Sequence, residues 1–391
     1  MQTQQILDTF LGYYTERGHQ PVDGASLVPH DDGPVLFTTS GMHPLTPFIE
    51  GRRHPKGRRL TNLQRCLRTT DLEEVGDLTH LTVFQMLGTW SFGDYSGLQS
   101  LRWAVGLLCE GLGVERGRLH ATVFGGDDQA PADLESEGVW QELGVPVEPT
   151  VDDNWWSNGP TGPCGPDSEI FVWTGDGPPV GTPTTDRRWV EVWNHVMMRY
   201  RRLDDGSLVP LERPSVDTGM GLERLAMVLQ GTSSVFDTDV LADYCRTLEG
   251  LWGLRGANLR LVCDHLRSSM VVVDDGVRPS NVRRGYVLRR LVRRTLTALW
   301  SEDMSRTLAD VPEHLVTATR TQFGTTGREG EWSHVVGEEE DRFRRLLERG
   351  RGLVSRLRSR GPLTAEDVRF LRETHGIPEE LVFSPLLDAG A

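Results

Sequence analysis

The stretch "SVDTGMGLERLAM" at residues 215–227 sets Asp217 two residues before a Gly-Met-Gly turn and Arg224 seven residues after that aspartate. A glycine-rich turn that opens a helix directs backbone N–H groups at an anion, and an arginine one turn in adds a fixed positive charge. These residue types can hold a phosphate compound beside a carboxylate. A plain strand-to-helix turn with a solvated arginine accounts for the stretch equally well when it is taken alone. A dinucleotide loop is excluded, because GxGxxG places a third glycine where this chain has Arg224, and no βαβ unit surrounds it.

A second set lies upstream in "LQRCLRTTDLEEVGDLTHLTVFQML", which reads as a hairpin with strands near 63–68 and 80–86 and an acidic loop between them. Arg68 stands at a strand end, and His80 and Phe84 follow on the returning strand. An arginine there can hold an α-phosphate as charge develops in an in-line displacement, and a phenylalanine can stack on a purine. Taken singly, each fits a structural place better, Phe84 in the core and Arg68 on the surface.

The elements that must position these residues divide at about residue 236. Residues 3–17 carry Ile6, Phe10, Leu11 and Tyr14 at helical spacing, and "PVLFTTSGM" reads as a strand ending in a turn. Residues 152–169, dense in Gly, Pro and Asn, read as an irregular loop. Residues 187–200 alternate as a strand, and 215–230 pass from strand through turn into a helix. Residues 1–235 thus form the first expected domain and residues 236–391, where the pattern turns helical, the second. Within the latter, 282–300 predicts an amphipathic helix with Leu288, Val292 and Leu299 on one face and Arg283, Arg290 and Arg294 on the other. Residues 338–361 suggest a helical hairpin arm.

The chain has 391 residues, 37% of them apolar, enough for two cores. Its net charge of −14 argues against non-specific adhesion to nucleic acid or anionic membrane, although a local basic patch can still take a specific nucleic acid. The five cysteines include no CxxC pair and read as reduced thiols in the cytoplasm. With no membrane-spanning apolar run, a soluble cytoplasmic location is expected.

The hairpin with its arginine, acidic loop and phenylalanine, followed by a Gly-x-Gly helix start carrying an arginine, resembles motifs 2 and 3 of the class II aminoacyl-tRNA synthetases. The strings "LGTWSFGDY", "DNWW", "TGPCGPDSEIF", "VEVWNHV", "PSVDTGMGLERL" and "RPSNVRRGYVLRRLVRR", in that order, are similar to the alanyl-tRNA synthetase family. The resemblance implies an α+β fold: an antiparallel sheet with flanking helices in a catalytic domain, then an all-helical tRNA-recognition domain. It implies adenylation of alanine, or a similarly small amino acid, by ATP with Mg²⁺, then transfer to the 3′ end of tRNA.

By the same resemblance, Arg68 and Arg224 clamp the ATP phosphates as the catalytic pair, with Phe84 on adenine, His80 beside it and Gly221 at the turn. Asp217 holds the α-ammonium with Gly219 beside it, while Met42, Trp156, Asn194 and Val196 line the amino-acid pocket. Asn281 and Glu373 read the acceptor stem of tRNA, Glu373 where the family carries aspartate. Arg283, with the arginines that follow it, offers backbone contacts. No metal ligand is assigned. The family's editing domain carries an HxxxH zinc site, and since none of the 11 histidines is four residues from another, a short form without editing and without zinc is expected. Three departures stand near the site: Gln85 and Pro160, where the family carries glutamate and aspartate, and a loop after Arg68 shorter than in many bacterial members. Two rival readings keep parts of this chemistry: transfer of the activated amino acid to a carrier protein or small molecule, and a non-catalytic tRNA-binding paralogue.

Overall fold

The computed structural model describes residues 1–29 and 35–387. By its own contacts the chain falls into two compact units, Met1–Arg68 with Val83–Ala242, and Thr69–Thr82 with Asp243–Ala391. The sequence suggested one cut near residue 235; the hairpin loop 69–82 instead groups with the C-terminal helices. The reason is local: Leu72 and Val75 are buried, Arg260 Nε donates to the Gly76 carbonyl at 2.8 Å, and the Thr82 N–H donates to Asp264 Oδ1 at 2.8 Å.

Among its described residues the first unit has nine strands: β1 (Gln20–Pro21), β2 (Arg59–Leu67), β3 (Val83–Ser91), β4 (Leu119–Phe124), β5 (Val147–Thr150), β6 (Trp155–Ser157), β7 (Gly162–Trp173), β8 (Trp189–Arg202) and β9 (Leu208–Gly221). The sheet order is β1-β2-β3-β9-β8-β7-β4-β5, with β6 paired to β7. Among the described residues only β1 with β2 and β4 with β5 run parallel. With its flanking helices this is the expected α+β arrangement around an antiparallel centre. Helices Thr3–Glu16, Gly97–Gly106, Leu134–Leu143 and Leu222–Gln230 bring Ile6, Phe10, Leu101, Trp140 and Leu225 against Leu87, Ile170, Val192 and Trp193. That is the main core, and it occupies one face of the sheet.

Three expected elements differ. Residues 35–42 form turns and irregular backbone rather than a strand, and Met42 precedes a short turn at His43–Leu45. Residues 152–169 are not one loop: they contain β6 and the start of β7. Glycine makes that strand possible, because a Cβ at Gly165 would lie 1.9 Å from the Met197 carbonyl oxygen, and the register shifts between Cys164 and Asp167. Finally, residues 338–361 do not fold back on themselves; one helix, Glu331–Arg358, takes up nearly all of them, and buries Phe343, Leu346, Leu347 and Val354 along one side.

The second unit packs helices Gly256–Asp274, Arg283–Trp300, Glu313–Phe323, Glu331–Arg358 and Ala365–His375. Leu288, Val292 and Leu299 are buried as the periodicity requires, and so are Val262, Met270 and Trp332 on the other helices of this unit. Trp300 stacks on Phe343 with ring centroids 5.5 Å apart. No helix among the described residues is long and apolar enough to cross a membrane.

Candidate active site

The site face of the sheet is opposite the main core, and strand register assembles it. Trp90 on β3 pairs with Asp217 on β9, which pairs with Val196 on β8; one step along, Gly88, Gly219 and Asn194 form a second row. Gly221 stands opposite Met86. Because side chains alternate along a strand, Phe84, Met86 and Trp90 share this face with Asp217, Val196 and Asn194, whereas Gln85 turns to the other side. There the Gln85 N–H donates to the Glu223 carboxylate at 3.0 Å.

Glycines make room for two large side chains. A Cβ would lie 2.0 Å from the Trp90 ring at Gly88 and 2.8 Å from it at Gly41, while one at Gly219 would lie 2.6 Å from Met86 Sδ. Trp90 is wholly buried among Met42, Leu45, Val196 and Met198, with Trp156 packed against the same cluster. Met42, Trp156 and Val196 are therefore brought together with Asp217, Gly219 and Asn194.

The polar groups on this face carry an excess of acid. Asp217 retains only 7% of its exposure and has no ion-pair partner among the described residues. Burial pushes its carboxyl up to about 7, with the Trp90 indole pulling the other way. Asp167 accepts from Asn154 Nδ2 at 2.9 Å, and burial pushes it too up to about 7 despite the Asn154 and Asn194 amides. Glu169 accepts from Thr122 Oγ1 at 3.1 Å and is raised well above the carboxylate range by burial and then by the neighbouring Glu191 and Asp167 charges. Among the described residues, only Glu191 of these acids meets a cation, accepting from Arg224 Nη1 at 2.8 Å. Arg68 lies over the Phe84 ring, 5.2 Å from its centroid, and its Nε donates to the Thr39 carbonyl at 3.4 Å.

His80 belongs to the second unit. Its Nδ1 lies 2.6 Å from Asp77 Oδ2 and its Nε2 3.1 Å from Glu74 Oε2, so both ring nitrogens are occupied within the acidic loop. The Arg283–Trp300 helix divides its arginines between two faces. Arg289 and Arg293 meet the fully buried Glu339 at 3.1 and 2.7 Å. Arg290 and Arg294 both meet Glu73, the latter at 2.8 Å. Asn281 is exposed and its Oδ1 accepts from Arg289. Arg283 is exposed at the helix start with φ +52°, and Glu373 is exposed beside Arg372 at 3.3 Å. No hydrogen bond or ion pair joins Asn281 to Glu373 among the described residues.

Reading the sequence did not single out Trp90, Asp167, Glu169 or Glu191. Trp90 sits inside "LGTWSFGDY", flanked by the glycine its ring needs, which was a usable signal. Glu191 reaches Arg224 because the register of β7 and β8 shifts next to it, placing both Val192 and Trp193 in the main core, and no local pattern announces such a shift. Among the described residues, no group of three or more His, Cys, Asp or Glu side chains is arranged to hold a metal ion.

The family model for class II (A) tRNA synthetases matches residues 5–389. An alanine–tRNA ligase of Rubrobacter xylanophilus is 39% identical over 422 residues, covering all of this chain and 48% of that protein. One from Treponema pallidum is 44% identical over 317 residues, covering 76% of this chain and 52% of its own. One from Borrelia hermsii is 36% identical over 407 residues, covering 97% and 68%. The chain thus spans about half the length of the first two of these relatives and about two thirds of the third. A match running almost end to end, over a sheet whose register assembles the residues its motifs single out, places this chain in the family of class II (A) tRNA synthetases.

Proposed function

We propose that this chain adenylates alanine with ATP and passes the aminoacyl group to the 3′ end of tRNA. The observation that carries the reading is Asp217, a buried carboxylate with no cation beside it among the described residues, in the middle of the site face. A buried charge is costly unless it is paired, and an α-ammonium would supply the missing partner. Met42, Val196 and Trp156 would bound a small apolar side chain, in keeping with the names of the relatives. Arg68 and Arg224 would neutralise the triphosphate, Phe84 would carry the purine, and Gly221 would let the chain approach the phosphates; positioning and charge do most of the work in phosphoryl transfer.

The family implies Mg²⁺, and the residues suit it: Glu169 and Glu191 are hard oxygen donors, and the raised Glu169 carboxyl marks negative charge that a cation would relieve. Mg²⁺ commonly takes one or two carboxylates and completes its shell with water and phosphate oxygens, which fits a site without a three-residue protein cage. It would supply charge neutralisation on the triphosphate. In the helical unit, Asn281, Arg283 and Glu373 would face the acceptor stem, since the shallow groove of an RNA helix displays base edges and 2′-hydroxyls. We assign residues 1–235 the catalytic role and 236–391 the tRNA role, with a cytoplasmic location.

The test is ATP–pyrophosphate exchange across the twenty amino acids, followed by charging of total tRNA. Alanine-dependent exchange and alanyl-tRNA are expected. Exchange without charging would move the acceptor to a carrier protein or small molecule, and absence of exchange with every amino acid would overturn the reading.

A further inference from the structure

The arginine helix presents one stripe outward, and an acidic side chain already occupies it. Positions 283, 286, 290 and 294 recur at intervals of three and four residues, so Arg283, Tyr286, Arg290 and Arg294 share a face, with Asn281 at its N-terminal end. Tyr286 is half exposed there. Arginines interleaved with an aromatic on one exposed helix face make a surface for an RNA backbone. Yet Arg290 and Arg294 both hold the carboxylate of Glu73 from the hairpin loop.

We propose that Glu73 is a displaceable stand-in for phosphate, which occupies the Arg290–Arg294 pair until the acceptor stem of tRNA replaces it. The proposal rests on the tRNA reading given above and adds a competitor to it. Three observations carry it. Glu73 is 60% exposed, unlike Glu339 on the neighbouring face, which has no exposure at all. The loop does not need Glu73 to hold its place: Leu72 and Val75 on either side are buried, and the Gly76 carbonyl and Thr82 N–H are bonded to Arg260 and Asp264. Two arginines converging on one carboxylate leave its negative charge outnumbered, as they would with a single phosphate, so exchange of one oxyanion for another preserves the bonding pattern.

An exposed pair of this kind is weak and screened by salt, so its removal has a modest and salt-dependent effect. The experiment measures tRNA affinity for the full chain, Glu73→Gln, Arg290→Gln/Arg294→Gln and the triple variant, at low and high salt, with exchange activity as a control. Glu73→Gln is expected to bind tRNA about three- to fivefold more tightly at low salt, with the gain fading as salt rises and tRNA-free exchange unchanged. The arginine double variant is expected to bind at least about tenfold more weakly, and adding Glu73→Gln to it should change nothing further. Unchanged or weaker binding by Glu73→Gln, with the double variant still impaired, overturns the stand-in while keeping the RNA surface. Wild-type affinity in the double variant overturns the surface as well. Exchange without any tRNA binding by the wild type overturns the tRNA reading itself, and the stand-in with it.

Discussion

Glu339 in the helical unit and Asp217 in the sheet unit are both withdrawn from water, yet Glu339 lies against Arg289 and Arg293 while Asp217 meets no cation among the described residues. The helical unit repeats its pattern at Asp274 with Arg320 at 3.0 Å and at Glu340 with Arg344 at 2.8 Å. The sheet face repeats the opposite one at Asp167 and Glu169, whose carboxyls are raised by burial and have no counter-ion among the described residues. Compensated acids hold helices together. An uncompensated one costs stability that an arriving cation would restore, which is why a strongly shifted carboxyl in a cleft is a candidate for a functional role.

That contrast can be broken by substitution. Asp217→Asn should abolish most amino-acid activation, at least a hundredfold in kcat/KM or about 3 kcal/mol of transition-state stabilisation, while thermal stability holds or rises because a buried uncompensated carboxyl is gone. Exchange within threefold of wild type would remove the ammonium role. Glu339→Gln should do the reverse, leaving two half-buried guanidinium groups without their acid at a cost of about 3 kcal/mol in urea unfolding, with little change in alanine-dependent exchange by properly folded protein.

Gly88→Ala sharpens the geometry: the added methyl collides with the Trp90 ring, so a loss of about 1–3 kcal/mol is expected, accompanied by a weakened alanine KM as the ring shifts beside Asp217. A folded Gly88→Ala protein of unchanged stability would show that Trp90 has another place to go. A pH titration comes next in size. The Asp217 carboxyl in the folded protein sits near 7, well above its ordinary value, so it is neutral below that pH and a poor partner for an ammonium. KM for alanine should fall as pH rises through about 7, and Asp217→Asn should flatten the profile. The linked effect on stability has the opposite sense. The folded ligand-free chain holds a proton that the unfolded chain has already lost, so this group's contribution declines as pH climbs from about 4 to 7. The smallest effect belongs to Glu73→Gln, where unfolding free energy should change by less than about 0.5 kcal/mol, in contrast to Glu339→Gln.

How much of this was legible in the sequence depended on distance along the chain. Asp217, the glycine turn and Arg224 lie within eight residues, so one stretch disclosed them. The β2–β3 hairpin declared itself by alternation, with strands at Arg59–Leu67 and Val83–Ser91 where 63–68 and 80–86 were expected. The start of β7 did not, because the glycines and prolines that read as loop punctuation are what allow β7 to run so close to β8. Periodicity also found the buried face of the arginine helix, but it could not say that four of its arginines were already engaged, because Glu73 and Glu339 lie far away in the chain. The place of His80 next to Phe84 came from the family resemblance alone, and no local pattern disclosed that its ring nitrogens lie against Asp77 and Glu74.

The two-sided arginine helix has one more consequence. Its inward positions, 289 and 293, are committed to Glu339 and can change only at the expense of the fold. Its outward positions, 283, 286, 290 and 294, carry no such obligation. A single helix therefore separates two kinds of constraint by rotation alone: one side is locked by the architecture, and the other is free to be retuned for a different polyanion without the helix losing its place.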